Sequence, residues 1–168
     1  ESKILKSNST IVSIFSPGYN YPNLNLNDLS LKNLNSKNPW KFIMAINQAK
    51  RDSMVLDAIT MEFNRRYPFR VYHLFPGFVH TNAAANRALP FPLPQLSSIF
   101  GPTLARTIGN TPSSYSDIPV FFAANPKAKE FDSYFYNERL QKIEIAQWAQ
   151  DKNNCEKLFD KISSFFNP

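Results

Sequence analysis

The sequence predicts an α/β fold in which an open parallel sheet carries helices on its faces. Three observations predict it. Two short apolar runs rich in β-branched and aromatic residues, Thr10 to Phe15 and Phe69 to Leu74, have the length and composition of buried strands. Between them lies one long amphipathic segment, Trp40 to Arg66, so the order is strand, helix, strand, as in a parallel crossover unit. The second run then meets Pro76-Gly77, a sharp turn of the kind an open α/β sheet shows where its carboxyl edge faces a ligand.

In chain order, residues 1 to 9 read as the tail of a helix and a polar loop, broken by Ser7, Asn8 and Ser9. The first strand, 10 to 15, is stopped by Ser16-Pro17-Gly18. From Tyr19 to Pro39 the chain is rich in Asn and Leu, and Leu29, Leu31 and Leu34 recur often enough to pack; an extended excursion with one helical turn is expected. Pro39 suits the first turn of the long helix. Ile43, Asn47, Met54, Val55, Ala58, Ile59 and Glu62 fall on one side of it, with Lys50, Arg51, Asp57 and Arg65 elsewhere. Pro68 ends it and the strand 69 to 74 follows. After Asn82 come Pro90, Pro92 and Pro94 and a second helix from about Leu96 to Ile108, a stretch that serves either as a lid over substrate or as a loop covering the sheet edge. Thr111-Pro112-Ser113-Ser114 reads as a helix cap, and Pro119 is expected to interrupt that helix before Val120 to Ala124. A short third strand is placed at Ser133 to Tyr136, and helices at Glu138 to Gln150 and Asn153 to Phe166 close the chain. The outer edge of the first strand is expected to lack a partner.

At 168 residues the chain is long enough for one domain, 1 to 168, and too short for two. With 43% hydrophobic, 14% aromatic and 19% charged residues it should fold rather than remain disordered. The net charge of +6 raises the question of nucleic acid, but the nineteen Lys and Arg are scattered from Lys3 to Lys161. The densest group, Arg65, Arg66 and Arg70, sits where a helix end attracts cations, so a solvated basic face is expected and no nucleic acid. A basic scaffold for acidic partners would need these arginines to converge with Lys37 or Lys41. Cys155 is the single cysteine, which excludes an internal disulfide and a cysteine-built metal site and is compatible with a reducing compartment such as the cytoplasm. His73 and His80 have no acidic partner at ligand spacing, so no metal is expected. No apolar run approaches the roughly 20 residues of a membrane span. Glu1 in place of an initiating Met points to processing or to a piece of a longer protein.

A strand ending in Ser16, a helix bearing Lys50, and a strand followed by Pro76-Gly77-Phe78-Val79-His80-Thr81 form an order of their own. It resembles the C-terminal half of a short-chain dehydrogenase/reductase. Ile11-Val12-Ser13-Ile14-Phe15-Ser16-Pro17-Gly18 is similar to the family's fifth strand and the Ser that ends it. The run Phe75-Pro76-Gly77-Phe78-Val79-His80-Thr81-Asn82, with the long stretch between Ser16 and Lys50, resembles divergent fungal members. The resemblance covers roughly Thr10 to Tyr136.

The resemblance implies the C-terminal half of a Rossmann-like, doubly wound parallel sheet with flanking helices. It implies NAD or NADP as cofactor and a small-molecule carbonyl or alcohol as substrate. Ser16 would orient substrate, Lys50 would hold the cofactor ribose and lower the pKa of a catalytic Tyr, and Pro76, Gly77, Val79 and Thr81 would line the nicotinamide end. The family's Tyr stands four residues before the Lys; here that residue is Ile46. Tyr19 and Tyr21, in the loop after Ser16, are the other phenols able to reach such a site. The chain has four glycines, Gly18, Gly77, Gly101 and Gly109, and no pair has the spacing of a dinucleotide-binding turn. The first strands and the glycine turn would then precede Glu1, and that N-terminal half of the fold is the expected partner. The alternative is a catalytically inactive, truncated reductase that acts as a binding module or has no function. A homo-oligomer through the helix 40 to 65 is a further expectation.

Overall fold

A computed structural model describes residues 5–22, 24–30, 41–77, 79 and 111–166. Strands β1 (Thr10–Ile14), β2 (Arg70–Leu74) and β3 (Phe135–Tyr136) form one parallel sheet in the order β1-β2-β3. The register pairs Thr10 with Arg70 through Ile14 with Leu74, and His73 with Phe135. Helix α1 (Lys41–Arg66) joins β1 to β2. After β2 the described chain resumes with α2 (Pro112–Tyr115), α3 (Asp117–Ala124) and a 3-10 turn (Pro126–Glu130), and it closes after β3 with α4 (Gln147–Gln150) and α5 (Lys152–Ser163). This is an α/β architecture, an open three-stranded parallel sheet flanked by helices, in keeping with part of a Rossmann-like sheet.

Neighbouring residues of a strand point to opposite faces. His73 meets Asp57 of α1, whereas the Tyr72 ring packs at a tilt against Phe122 of α3, with ring centroids 4.5 Å apart. Helices α1 and α3 therefore cover opposite faces. The core follows this division. Tyr72, Leu74, Phe122, Ala128 and Tyr136 fill the α3 side, with the Phe131 ring edge-on to Phe122 and Tyr136. The other apolar cluster, Tyr21, Met54, Ala58, Ala149, Cys155 and Leu158, joins α1 to α4 and α5. What lies between α1 and the sheet is more polar, with Ser53, Asp57, Thr60 and His73 all buried.

Strand β3 is too short to pair with the start of β2, and a side chain takes its place. His73 of β2 and Phe75 just after it donate to the carbonyls of Tyr134 and Tyr136, so the odd-numbered residues face β3. Among the described residues, Val71 has no strand beyond it in that direction. The Asn64 carboxamide accepts from the Val71 N–H (3.0 Å) and donates to the Val71 carbonyl (2.7 Å), as a neighbouring strand would.

Several sequence expectations need correction. Pro119 does not interrupt its helix. It lies in the first turn of α3, where the missing N–H would have had no intrahelical acceptor, and the break falls earlier, at Ser116 between α2 and α3. The expected helix at Glu138 to Gln150 is confined to Gln147–Gln150. The Asn137 carboxamide oxygen accepts from the amides of Arg139 and Gln141, Leu140 adopts a left-handed conformation (φ 58°), and the chain folds back so that Lys142 bridges Tyr136 antiparallel. An Asn that binds its own following backbone competes with helix in this way. Asp57, assigned to the polar side of α1, is fully buried. Arg65 and Arg66 converge on the buried carboxylate of Glu62, and they also reach Glu156 (3.8 Å) and Asp160 (3.4 Å) of α5. The expected helix 96 to 108, the proline-rich loop, His80, Thr81, Leu31 and Leu34 lie outside the described residues. Among the described residues, no helix is long and apolar enough to cross a membrane.

Candidate functional site

The sheet's carboxyl edge is where successive strands deliver their following turns. At the end of β1, Phe15, Ser16 and Tyr19 form one wall of a cleft of about 690 Å3. The N-terminal half of α1 forms the other wall, with Ala45, Ile46, Gln48, Ala49, Lys50 and Asp52. Ser16 and Lys50 thus come to one cleft from separate elements. Ile46, one helical turn before Lys50, stands in the same wall and is 39% exposed. Of the two tyrosines after Ser16, Tyr19 lines the cleft and is 46% exposed, whereas Tyr21 is 6% exposed in the core, its backbone N–H directed at the Met54 sulfur. Pro76, Gly77 and Val79 continue from β2 along the same edge, half-buried, with Gly77 in a left-handed conformation (φ 69°) that a residue without Cβ adopts freely. They are not among the residues lining the cleft, and Thr81 falls outside the described part.

The charge at the cleft is mixed. Lys50 brings an ammonium with three hydrogen-bond donors. Asp52 brings a carboxylate already engaged by the Arg51 guanidinium at 2.6 Å. Arg51 also donates to the Leu29 carbonyl, which ties the chain after Tyr21 across α1.

Sequence reasoning missed the groups just beneath the cleft. Asp57 Oδ1 lies 2.8 Å from His73 Nδ1, Asp57 Oδ2 accepts from the Gly18 N–H at 2.9 Å, and the Ser53 hydroxyl donates to the Ser16 carbonyl. Asp57 and His73 are both fully buried. His73 therefore does have an acidic partner, supplied by the helix rather than by a neighbour in sequence. The signal was present, because Asp57 follows Lys50 and Ser53 at helical spacing. Among the described residues, no three His, Cys, Asp or Glu side chains converge as a metal site would require.

Compared with protein-family models, curated proteins and solved structures, the chain matches none.

Proposed function

We propose that the cleft is the substrate and nicotinamide end of an NAD(P)-dependent oxidoreductase site of the short-chain dehydrogenase/reductase kind, reducing a carbonyl or oxidising an alcohol in the complete fold. The observation that carries this reading is that Ser16 and Lys50 line one cleft at the carboxyl edge of a parallel sheet. The residues present fit the nicotinamide-ribose half of a dinucleotide. Lys50 offers donors for ribose hydroxyls, and Gly77 offers close backbone approach. They do not fit the pyrophosphate, since no two of the four glycines have the spacing that a phosphate-binding turn needs.

Bound there, a dinucleotide would supply or accept the hydride. The chain's own residues do the rest: the Ser16 hydroxyl hydrogen-bonds the substrate oxygen, and the Lys50 charge favours negative charge developing there. Ile46 has no ionisable proton to transfer, so within this reading the Tyr19 phenol, the one phenol among the described cleft residues, holds the proton that the substrate oxygen gains or loses. The partner is the preceding half of the sheet, seated along β1, whose Ile14 is half-exposed. A homo-oligomer through α1 belongs to the same reading.

A second reading, a catalytically inactive cleft that binds without catalysing, is favoured by Ile46 and by the lack of a phosphate-binding spacing among the four glycines. Titration of the chain with NADH and NADPH, following cofactor fluorescence and the thermal midpoint together, tests whether the cleft takes the dinucleotide, and carbonyl or alcohol turnover by the loaded chain separates the two readings. Saturable binding with a raised midpoint is expected, because a ligand of the folded state stabilises it by mass action. Lys50→Ala should weaken that binding about 10–100-fold, the loss of a hydrogen bond from a charged donor. Absence of a shift with either dinucleotide refutes the oxidoreductase reading for this chain.

A further inference from the structure

Lys50, Ser53 and Asp57 follow one another at spacings of three and four, so they form one stripe along α1. Each member of the stripe meets the same short segment or the cleft it bounds. Lys50 lines the cleft, Ser53 binds the Ser16 carbonyl, and Asp57 binds the Gly18 N–H. The turn is backed from its other side as well. Gly18 has φ +90°, and a Cβ there would lie 2.8 Å from Ile143 Cγ2 and 2.9 Å from the Glu144 carbonyl oxygen. The Ser16–Pro17–Gly18 turn is thus held between α1 and the chain that returns from β3.

Asp57 suits its place because both of its neighbours donate. A carboxylate has acceptors only, and Gly18 N–H and His73 Nδ1–H approach its two oxygens. The other ring nitrogen, His73 Nε2, is buried with no partner among the described residues. An asparagine of the same shape has one acceptor, so it can serve Gly18 or His73 in this arrangement but not both.

From this geometry we infer that Asp57, itself oriented by His73, is a positioning residue: it fixes the Ser16–Gly18 turn against α1 so that Ser16 stands opposite Lys50, and ligand affinity at the cleft depends on it. The identity of the ligand rests on the oxidoreductase reading; the positioning does not.

The test uses 15N-labelled chain and three measurements. In the wild type, imidazole 15N shifts should show Nδ1 protonated, and the Gly18 amide should exchange slowly with solvent; an Nδ1 without its proton, or free-loop exchange at Gly18, overturns the inference without any variant. In Asp57→Asn, amide exchange should accelerate about tenfold at Ser16, Gly18 and Tyr19 while the middle of α5 is unchanged, and the dissociation constant for NADH or NADPH should rise about tenfold. Thr60→Ala, a buried change one turn further along α1, should leave the turn's exchange as it was. Unchanged exchange at the turn in Asp57→Asn, or unchanged dinucleotide affinity, overturns the positioning role. If the wild type binds neither dinucleotide, the oxidoreductase reading falls, and the exchange data alone decide the positioning.

Discussion

Replacing Asn64 tests whether one side chain stands in for a strand. Its carboxamide satisfies both the N–H and the carbonyl of Val71, which is 5% exposed, and its Nδ2 also donates to the Thr60 carbonyl at 2.8 Å. Asn64→Ala leaves two backbone groups of a buried strand residue without partners. A buried polar group stripped of its hydrogen bond costs about 1–3 kcal/mol. Asn64 itself is only half-buried, so water can reach part of the gap, and the expected loss is about 2–4 kcal/mol. Asn64→Asp separates the two bonds. One carboxylate oxygen still accepts from Val71 N–H, but the other now faces the Val71 and Thr60 carbonyls, so Asp should be worse than Ala despite its closer shape. Equilibrium urea unfolding, followed by far-UV circular dichroism, measures both variants. A loss below about 0.5 kcal/mol in the Ala variant, the range of ordinary surface changes, would refute the strand-substitute argument. So would an Asp variant as stable as wild type.

Two further variants probe the turn and the buried phenol. Gly18→Ala combines a left-handed φ with a Cβ against the Glu144 carbonyl, and it should cost about 2–4 kcal/mol in the same urea assay, with matched loss of the slow Gly18 exchange. Burial first, and the Glu138 charge second, push the Tyr115 phenol up to about 12. Between its ordinary value of about 10 and that folded value, the unfolded chain has lost the proton and the folded chain keeps it, so stability is intact below about pH 10 and falls as pH rises toward 12. Tyr115→Phe removes that loss and also a hydroxyl with no partner among the described residues. Its advantage over wild type should grow by about 2 kcal/mol across this range, and an unchanged difference would contradict the burial of the phenol.

The sheet was legible in the sequence because its signal is local. The runs beginning at Thr10 and Phe69 are apolar and β-branched, and a parallel strand covered on both faces needs just that. The long helix between them was legible from periodicity, and the observed Lys41–Arg66 agrees with the expected segment over all of its described residues. What failed was decided by side-chain hydrogen bonds. Residues 138 to 146 carry a plausible helical composition, yet Asn137 captures the amides that would have opened the helix. Asp57 looked like a surface charge because its partners, Gly18 and His73, are distant in sequence and are brought to it only by the crossover. Ser16 and Lys50 were named from their motif context, and their shared cleft could not have been read from a spacing of thirty-four residues.

The division of labour around α1 explains how a cleft of defined shape can sit on so small a sheet. Toward α4 and α5 the helix buries Met54 and Ala58 among Ala149, Cys155 and Leu158, contacts that are strong in sum but tolerate sliding. Toward the sheet it presents Ser53, Asp57 and Asn64, and each is bonded to a particular backbone group or imidazole nitrogen. A slip of one helical turn would leave most of the apolar contact replaceable and break every one of these polar bonds. Because buried polar groups are costly when unpaired, these bonds fix the rotation and height of α1 against the sheet. Lys50 and Ile46 inherit that fixed position, since they lie on the same helix one and two turns before Ser53. The residue that a cleft ligand meets opposite Ser16 is therefore set by hydrogen bonds beneath the cleft. Exchanging Ile46 for a phenol would accordingly change the chemistry of the wall while leaving its geometry in place.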